Sequence, residues 1–214
     1  MACFSVQNNW TSSVETEIVQ GKALADAAKA AGVQHFVYSS VGGAERNSGI
    51  PHFDSKFEIE QHIVKLGLSC TFVRPAYFIA NLLDEGQMGF ISWGLLAWAL
   101  KGGKTLQVVD VDDIGGFAAH CFLNADDDMG RAVELAGDEL THQQIKSTFI
   151  RVMGKPPFHI TLPAWMFKPM SAEVYTMFHW FKLHGYQADI PALEKAYPPL
   201  KRYEQALQGI RQQR

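Results

Sequence analysis

Three short apolar runs, at residues 2–6, 34–39 and 68–74, are separated by two helix-length segments, and this alternation most narrows the folds open to the chain. Ser12-Ser-Val-Glu15 sets a capping-box pattern at the head of the first helical segment. Val14, Ile18, Ala25 and Ala28 then recur near one face, and Gly32 supplies the stop. A second helix is predicted from about residue 54 to residue 66, stopped by Gly67. Crossovers of this length join parallel strands through right-handed βαβ units, so a parallel sheet with helices packed on it is expected.

The alternation continues with a strand at 105–109, a helix at 111–123 that opens on acidic residues, a strand at 132–136 and a helix at 141–153. Thr141 and Gln144 stand at capping-box spacing at the start of that last helix. After Pro156-Pro157 the chain turns to aromatic and Met-rich helices interrupted by prolines at 163, 169, 191, 198 and 199. The expected organisation is a sheet domain over 1–155 and a helical C-terminal lobe over 156–214, part of the same domain.

Hydrophobic residues make up 47% of the 214 and charged residues 19%, enough apolar surface to fold without disulfides or metals. Nineteen basic against 22 acidic side chains give a formal charge of -3, which argues against direct nucleic-acid binding. Cys3, Cys70 and Cys121 are too few and too far apart for a disulfide framework or a metal knuckle, which fits a reducing cytoplasm. The longest apolar stretch, from Phe90 to Leu100, is too short to cross a membrane. The first six residues do not read as a secretory signal.

A parallel α/β chain invites a search for a phosphate-binding glycine loop after its first strand. Gln7-Asn-Asn-Trp10 contains no glycine, and Gly86-Gln-Met-Gly89 has Ser92 at the third glycine position. Gly103-Lys104-Thr105 resembles the end of a nucleoside-triphosphate loop, but Trp98 stands where the upstream glycine is required, and an ordinary turn is the better reading.

The most chemical constellation lies between Ser39 and Lys56. Ser39 ends a predicted strand, His52 follows thirteen residues later, and Lys56 comes four after that, on the same helix face. This is the Ser, Tyr and Lys spacing of short-chain dehydrogenases, with histidine at the tyrosine's place. In such a site the lysine holds the cofactor ribose, while a neutral imidazole is a poor substitute for a phenol as proton donor to a carbonyl. The alternative is a solvated His and Lys on a helix's first turn.

Further stretches carry a resemblance: Phe4-Ser-Val-Gln-Asn-Asn-Trp10, Gln20-Gly-Lys-Ala-Leu-Ala-Asp26, Phe36-Val-Tyr-Ser-Ser40, His52-Phe-Asp-Ser-Lys56 with Glu58 and Glu60, Arg74-Pro-Ala-Tyr-Phe-Ile-Ala-Asn-Leu82, and Val111-Asp-Asp-Ile-Gly115. In this order they resemble the NmrA-like family, atypical relatives of the short-chain dehydrogenases that include redox-sensing regulators and quinone reductases. The resemblance implies a Rossmann-type parallel sheet flanked by helices, with NADP or NAD lying across the carboxyl ends of the strands. It implies Val6 and Gln7 beside the adenosine side of the cleft, Ser39 and Ser40 near the nicotinamide, and Lys56 on the ribose. Pro75, Tyr77, Phe78 and Asn81 would fall in a loop along the nicotinamide half, where Pro75 also reads as a strand stop, Tyr77 and Phe78 as core aromatics, and Asn81 as a surface residue. Lys56, His52 and Ser39 would carry any catalysis.

The resemblance begins at the family's fourth strand. The first three strands, the glycine loop and the basic residue that reads a 2′-phosphate are therefore expected to be missing, giving a truncated Rossmann-type sheet with the strand at 2–6 as an exposed edge. Three functions follow from this: a redox-sensing regulatory or interaction protein with impaired cofactor binding, an NAD(P)H-dependent reductase of quinones or similar carbonyls, or an interaction module with no cofactor. The expected partners are the dinucleotide where it binds, and a protein or second copy at the edge strand, with no membrane and no metal.

Overall fold

The computed structural model describes residues 1–84, 86–155 and 163–213. The elements in chain order are β1 (Ala2–Ser5), α1 (Val14–Ala30), β2 (His35–Ser39), α2 (Pro51–Lys65), β3 (Cys70–Pro75), β4 (Tyr77–Phe78), α3 (Gln87–Ala99), β5 (Thr105–Val109), α4 (Val111–Leu123), α5 (Ala125–Asp128), β6 (Ala132–Leu135), β7 (Asp138–Thr141), α6 (His142–Met153), α7 (Ala172–Leu183), α8 (Ile190–Ala196) and α9 (Tyr203–Gln213). They fall into two compact units, one formed by Met1–Pro75 with Ile114–Leu135, the other by Ala76–Asp113 with Ala136–Arg214. The Pro156-Pro157 pair, where the sequence marks the change to the helical lobe, lies outside the described residues.

The first unit is built on a four-stranded sheet of order β1-β2-β3-β6 in which every pairing is parallel, as the alternating pattern predicts. Phe36, Tyr38 and Phe72 turn one face of the sheet toward α1 and α2, where they are buried with Ala25, Ala28, Ile59 and Ile63. Each large apolar side chain buried there contributes about 2 kcal/mol. Gly21 lets the two helices close: a Cβ at that position would lie 2.5 Å from the Ile59 Cδ1. On the opposite face the ring of His35 meets Phe122 of α4 edge-on at 5.5 Å. Among the described residues β1 pairs only with β2, so it forms one edge of the sheet.

Two helix starts depart from the sequence reading. The N-cap of α1 is Ser13, whose extended backbone lets its Oγ accept from the Thr16 amide at 3.2 Å, so the expected Ser12 and Glu15 box is displaced by one residue. α2 begins at Pro51, three residues before the predicted start, because the fixed φ of proline suits a first turn. The box at Thr141 and Gln144 forms as expected, with the Thr141 Oγ1 accepting at 3.3 Å and the Gln144 side chain accepting from the Thr141 amide at 2.8 Å.

The second unit carries a smaller sheet of order β4-β5-β7, with β4 parallel and β7 antiparallel to β5. The sequence reading anticipates β5 but neither β4 nor β7, whose two and four residues are too short to show a period. The apolar run from Phe90 becomes α3, with Trp93, Leu95 and Leu96 buried and the Trp93 indole donating to the Leu82 carbonyl at 3.0 Å. Among the described residues no helix is long and apolar enough to cross a membrane.

Candidate functional site

The parallel register of β1 and β2 sets Ser5 opposite Tyr38. Val6 and Gln7 therefore leave β1 at the level where Ser39 and Ser40 end β2, and all four gather at the carboxyl edge of the sheet. That edge is where open α/β sheets take ligands. Ser39 and Ser40 are buried, and the Ser40 Oγ has no hydrogen-bond partner. The Tyr38 hydroxyl beneath them is likewise buried and unpartnered, and burial together with the charges of Glu17 and Glu60 raises its pKa.

Lys56 reaches this edge from α2. Its Nζ donates to the backbone carbonyl of Gln7 at 3.0 Å and to the Glu17 carboxylate at 3.0 Å, and lies 5.9 Å above the centre of the Tyr38 ring. Only 13% of the Lys56 side chain is exposed and none of Glu17, so Lys56 is not the solvated residue that spacing alone allows. The other Glu17 oxygen accepts from the Ser55 hydroxyl at 2.6 Å. An ammonium has three N–H donors, and two are committed here.

His52, one turn before Lys56, sets its ring 5.9 Å from that of Trp10 and 4.8 Å from that of Phe53. The face shared by His52 and Lys56 is thus turned onto residues 6–13, the segment between β1 and α1. Glu17 is the residue that sequence reasoning missed. A glutamate in the first turn of a helix reads as an ordinary response to the helix dipole, and nothing in its spacing pairs it with Lys56.

Pro75 ends β3, and its carbonyl accepts from the Gly42 amide at 2.8 Å. The other residues assigned to the nicotinamide loop belong to the second unit. Tyr77 is buried against Phe178 and Phe181, a core aromatic whose hydroxyl lies beside Ser92 and Asn81. Phe78 is 38% exposed, and Asn81 lies in the 3-10 turn Ile79–Leu82. A cavity of about 620 Å³ in this unit is lined by Leu83, Asp84, Asp110, Asp112 and Ile210 among others, and by none of the residues assigned from sequence. No group of three or more His, Cys, Asp or Glu among the described residues is arranged to hold a metal.

A network of two arginines and three glutamates surrounds the ends of β3 and β6. Arg74 pairs with Glu60 and, at 2.8 Å, with Glu45. Arg46 pairs with Glu134, which also accepts from the Gly43 amide at 3.2 Å. A dinucleotide needs donors for its pyrophosphate and for its riboses. The Ser40 hydroxyl and the remaining Lys56 N–H fit ribose hydroxyls. The segment between β1 and α1 offers no glycine, and the Gly43 amide is already taken by Glu134. The residues present therefore fit the ribose end of such a ligand and not its pyrophosphate.

A family profile described as the NmrA-like family matches residues 1–203. An NmrA-like family domain-containing protein of Dictyostelium discoideum is 28% identical over 197 residues, covering 86% of this chain and 65% of its own length. The chain spans between about a third and two thirds of the length of the curated relatives it matches. Among solved structures, NmrA, a negative transcriptional regulator in complex with NAD, superposes with a TM-score of 0.70 at 20% identity over 97% of this chain and 72% of that one. The NADPH-dependent quinone oxidoreductase of Escherichia coli, complexed with NADPH, does so with a TM-score of 0.73 at 21% identity over 98% and 76%.

Proposed function

The chain belongs to the NmrA-like family, and from that membership we propose that it is a redox-sensing regulatory or interaction protein which recognises the ribose end of NADP or NAD through Lys56 and binds the dinucleotide weakly. The observation that carries this reading is the use made of the two helix residues with chemistry. Lys56 spends two of its three donors on Gln7 and Glu17, and His52 leans on Trp10 where a dehydrogenase has a phenolic acid. A site so arranged can sense whether a ligand is present, but has no strong proton donor for a carbonyl.

The missing donors at the pyrophosphate position support weak binding by this stretch of chain. NmrA, described as a negative transcriptional regulator in complex with NAD, supports a regulatory use of the same fold. Three unpaired cysteines, two of them buried, suit a cytoplasmic setting, and partner contact is assigned to the exposed edge of β1.

The second reading is an NAD(P)H-dependent reductase of quinones or similar carbonyls, favoured by the uncommitted Lys56 N–H and by the likeness to the quinone oxidoreductase. In that case the nicotinamide supplies the hydride, Lys56 fixes its ribose, and the Ser39 and Ser40 hydroxyls line the approach. Stopped-flow and steady-state assays with NADPH and 1,4-benzoquinone separate the two. Dinucleotide binding without quinone turnover is the expected result, and sustained turnover moves the assignment to the reductase.

A further inference from the structure

We propose that Glu17 is a positioning residue for the dinucleotide site: it holds the Lys56 ammonium at the carboxyl end of β1 so that the third N–H is presented to a ribose hydroxyl. This rests on the reading of Lys56 as the ribose ligand. A lysine side chain has four rotatable bonds and, left in solvent, samples many positions. Here the ammonium is held from two sides, by the Gln7 carbonyl at 3.0 Å and by a Glu17 oxygen at 3.0 Å.

Glu17 is itself immobilised. Its side chain has no exposed surface, and its second oxygen takes a 2.6 Å hydrogen bond from Ser55, the residue just before Lys56 on α2. Ser55 and Lys56 thus grip both oxygens of one carboxylate on α1. The Ser55 hydroxyl also lies 3.3 Å from the His52 carbonyl, in the first turn of α2. With two donors fixed by geometry, the direction of the third is fixed as well. The buried charge of Lys56 is compensated in the same step, so ligand binding need not pay to order or to discharge it.

The test is a double-mutant cycle on the full chain, with Glu17→Gln, Lys56→Met and the two combined, titrated with NADPH by nuclear magnetic resonance to millimolar concentration, well below each variant's melting temperature. Glu17→Gln is expected to weaken NADPH about tenfold, as Lys56→Met does, since the first releases the ammonium from its position and the second removes the ammonium itself. The combined variant should be no weaker than Lys56→Met alone. A ligand-independent arm follows acetylation of the Lys56 amine by mass spectrometry. Glu17→Gln should raise its rate severalfold, and Glu17→Asp should restore part of the protection.

Melting temperature alone lowered by Glu17→Gln, with NADPH affinity unchanged, overturns the assignment and leaves Glu17 a packing residue. Independent, multiplicative losses in the cycle overturn it too. No NADPH binding by the unsubstituted chain overturns the cofactor reading and this assignment together, whereas wild-type binding with an indifferent Glu17→Gln overturns this assignment only.

Discussion

Arg74, at the end of β3, grips Glu60 of α2 with two parallel bonds, Nε to Oε1 at 3.0 Å and Nη2 to Oε2 at 2.6 Å. The Glu60 side chain is 3% exposed, while Glu45, the second partner of Arg74, is 35% exposed. Removing one half of a buried ion pair strands the other charge and costs about 3–5 kcal/mol, whereas loss of the partly exposed Glu45 leaves Arg74 still paired with Glu60 and strands no charge. Glu60→Ala is therefore expected to lose about 3 kcal/mol in urea unfolding, and Glu45→Ala less than about 1 kcal/mol. Equal losses in the two variants would show that the network, and not the buried pair, bears the load.

Dinucleotide affinity should be weak in this chain. A pyrophosphate finds neither a glycine turn between β1 and α1 nor a free Gly43 amide, so it lacks the backbone donors that normally hold it. Calorimetric titration with NADPH is expected to give a dissociation constant above the micromolar range. Lys56→Ala should weaken what binding there is by about 1–3 kcal/mol, and His52→Ala by less. A submicromolar constant would favour the reductase.

The sheet of the first unit was legible because β1, β2 and β3 are apolar runs bounded by glycine-stopped helices, a pattern set by local periodicity. The position of Val6, Gln7, Ser39 and Ser40 at the carboxyl edge of β1 and β2 follows from parallel pairing, whereas their role at a ligand site comes from the family resemblance alone. What Lys56 does there was not legible. Its carboxylate partner is 39 residues away on another helix, and no local signal couples the two. Tyr77 and Phe78 show a related limit. Both are aromatics in a loop-like motif, yet one is buried against Phe178 and Phe181 and the other half exposed, a difference decided by tertiary packing.

His35 sets a pH dependence of stability. Its Nε2 bonds the Thr71 Oγ1 at 2.8 Å, and because that hydroxyl donates to the Asp128 carbonyl, His35 must be the donor and its Nδ1 the bare nitrogen. Nδ1 is buried without a partner. Burial holds the imidazole below its ordinary pKa, with the Asp128 charge pulling the other way. Just below the unfolded value of about 6.5 the unfolded chain binds more protons, so this contribution is complete above that pH and is lost as pH falls. His35→Gln, which can keep the bond to Thr71, should show a smaller drop in melting temperature between pH 7.5 and 5 than the wild type. An unchanged drop would assign the acid sensitivity to other groups.

The edge of β1 should self-associate. Residues 2–5 contain neither proline nor charge, and Phe4 on this strand is 41% exposed, with Val6 beyond it 59% exposed. Such an edge offers unpaired amides and carbonyls together with apolar side chains, the combination that protected edges avoid. Antiparallel pairing of two β1 strands across a two-fold axis would satisfy both edges and close the assembly as a dimer instead of a filament. Sedimentation velocity over a concentration series is expected to show a dimer for the wild type and a monomer for Phe4→Lys, because a charge on that strand must be desolvated for the edges to meet. Phe4→Leu, which keeps the apolar surface, should still dimerise. A wild type that remains monomeric at the highest concentrations rules out the β1 pairing, and an unaltered dimer in Phe4→Lys moves the contact to another surface.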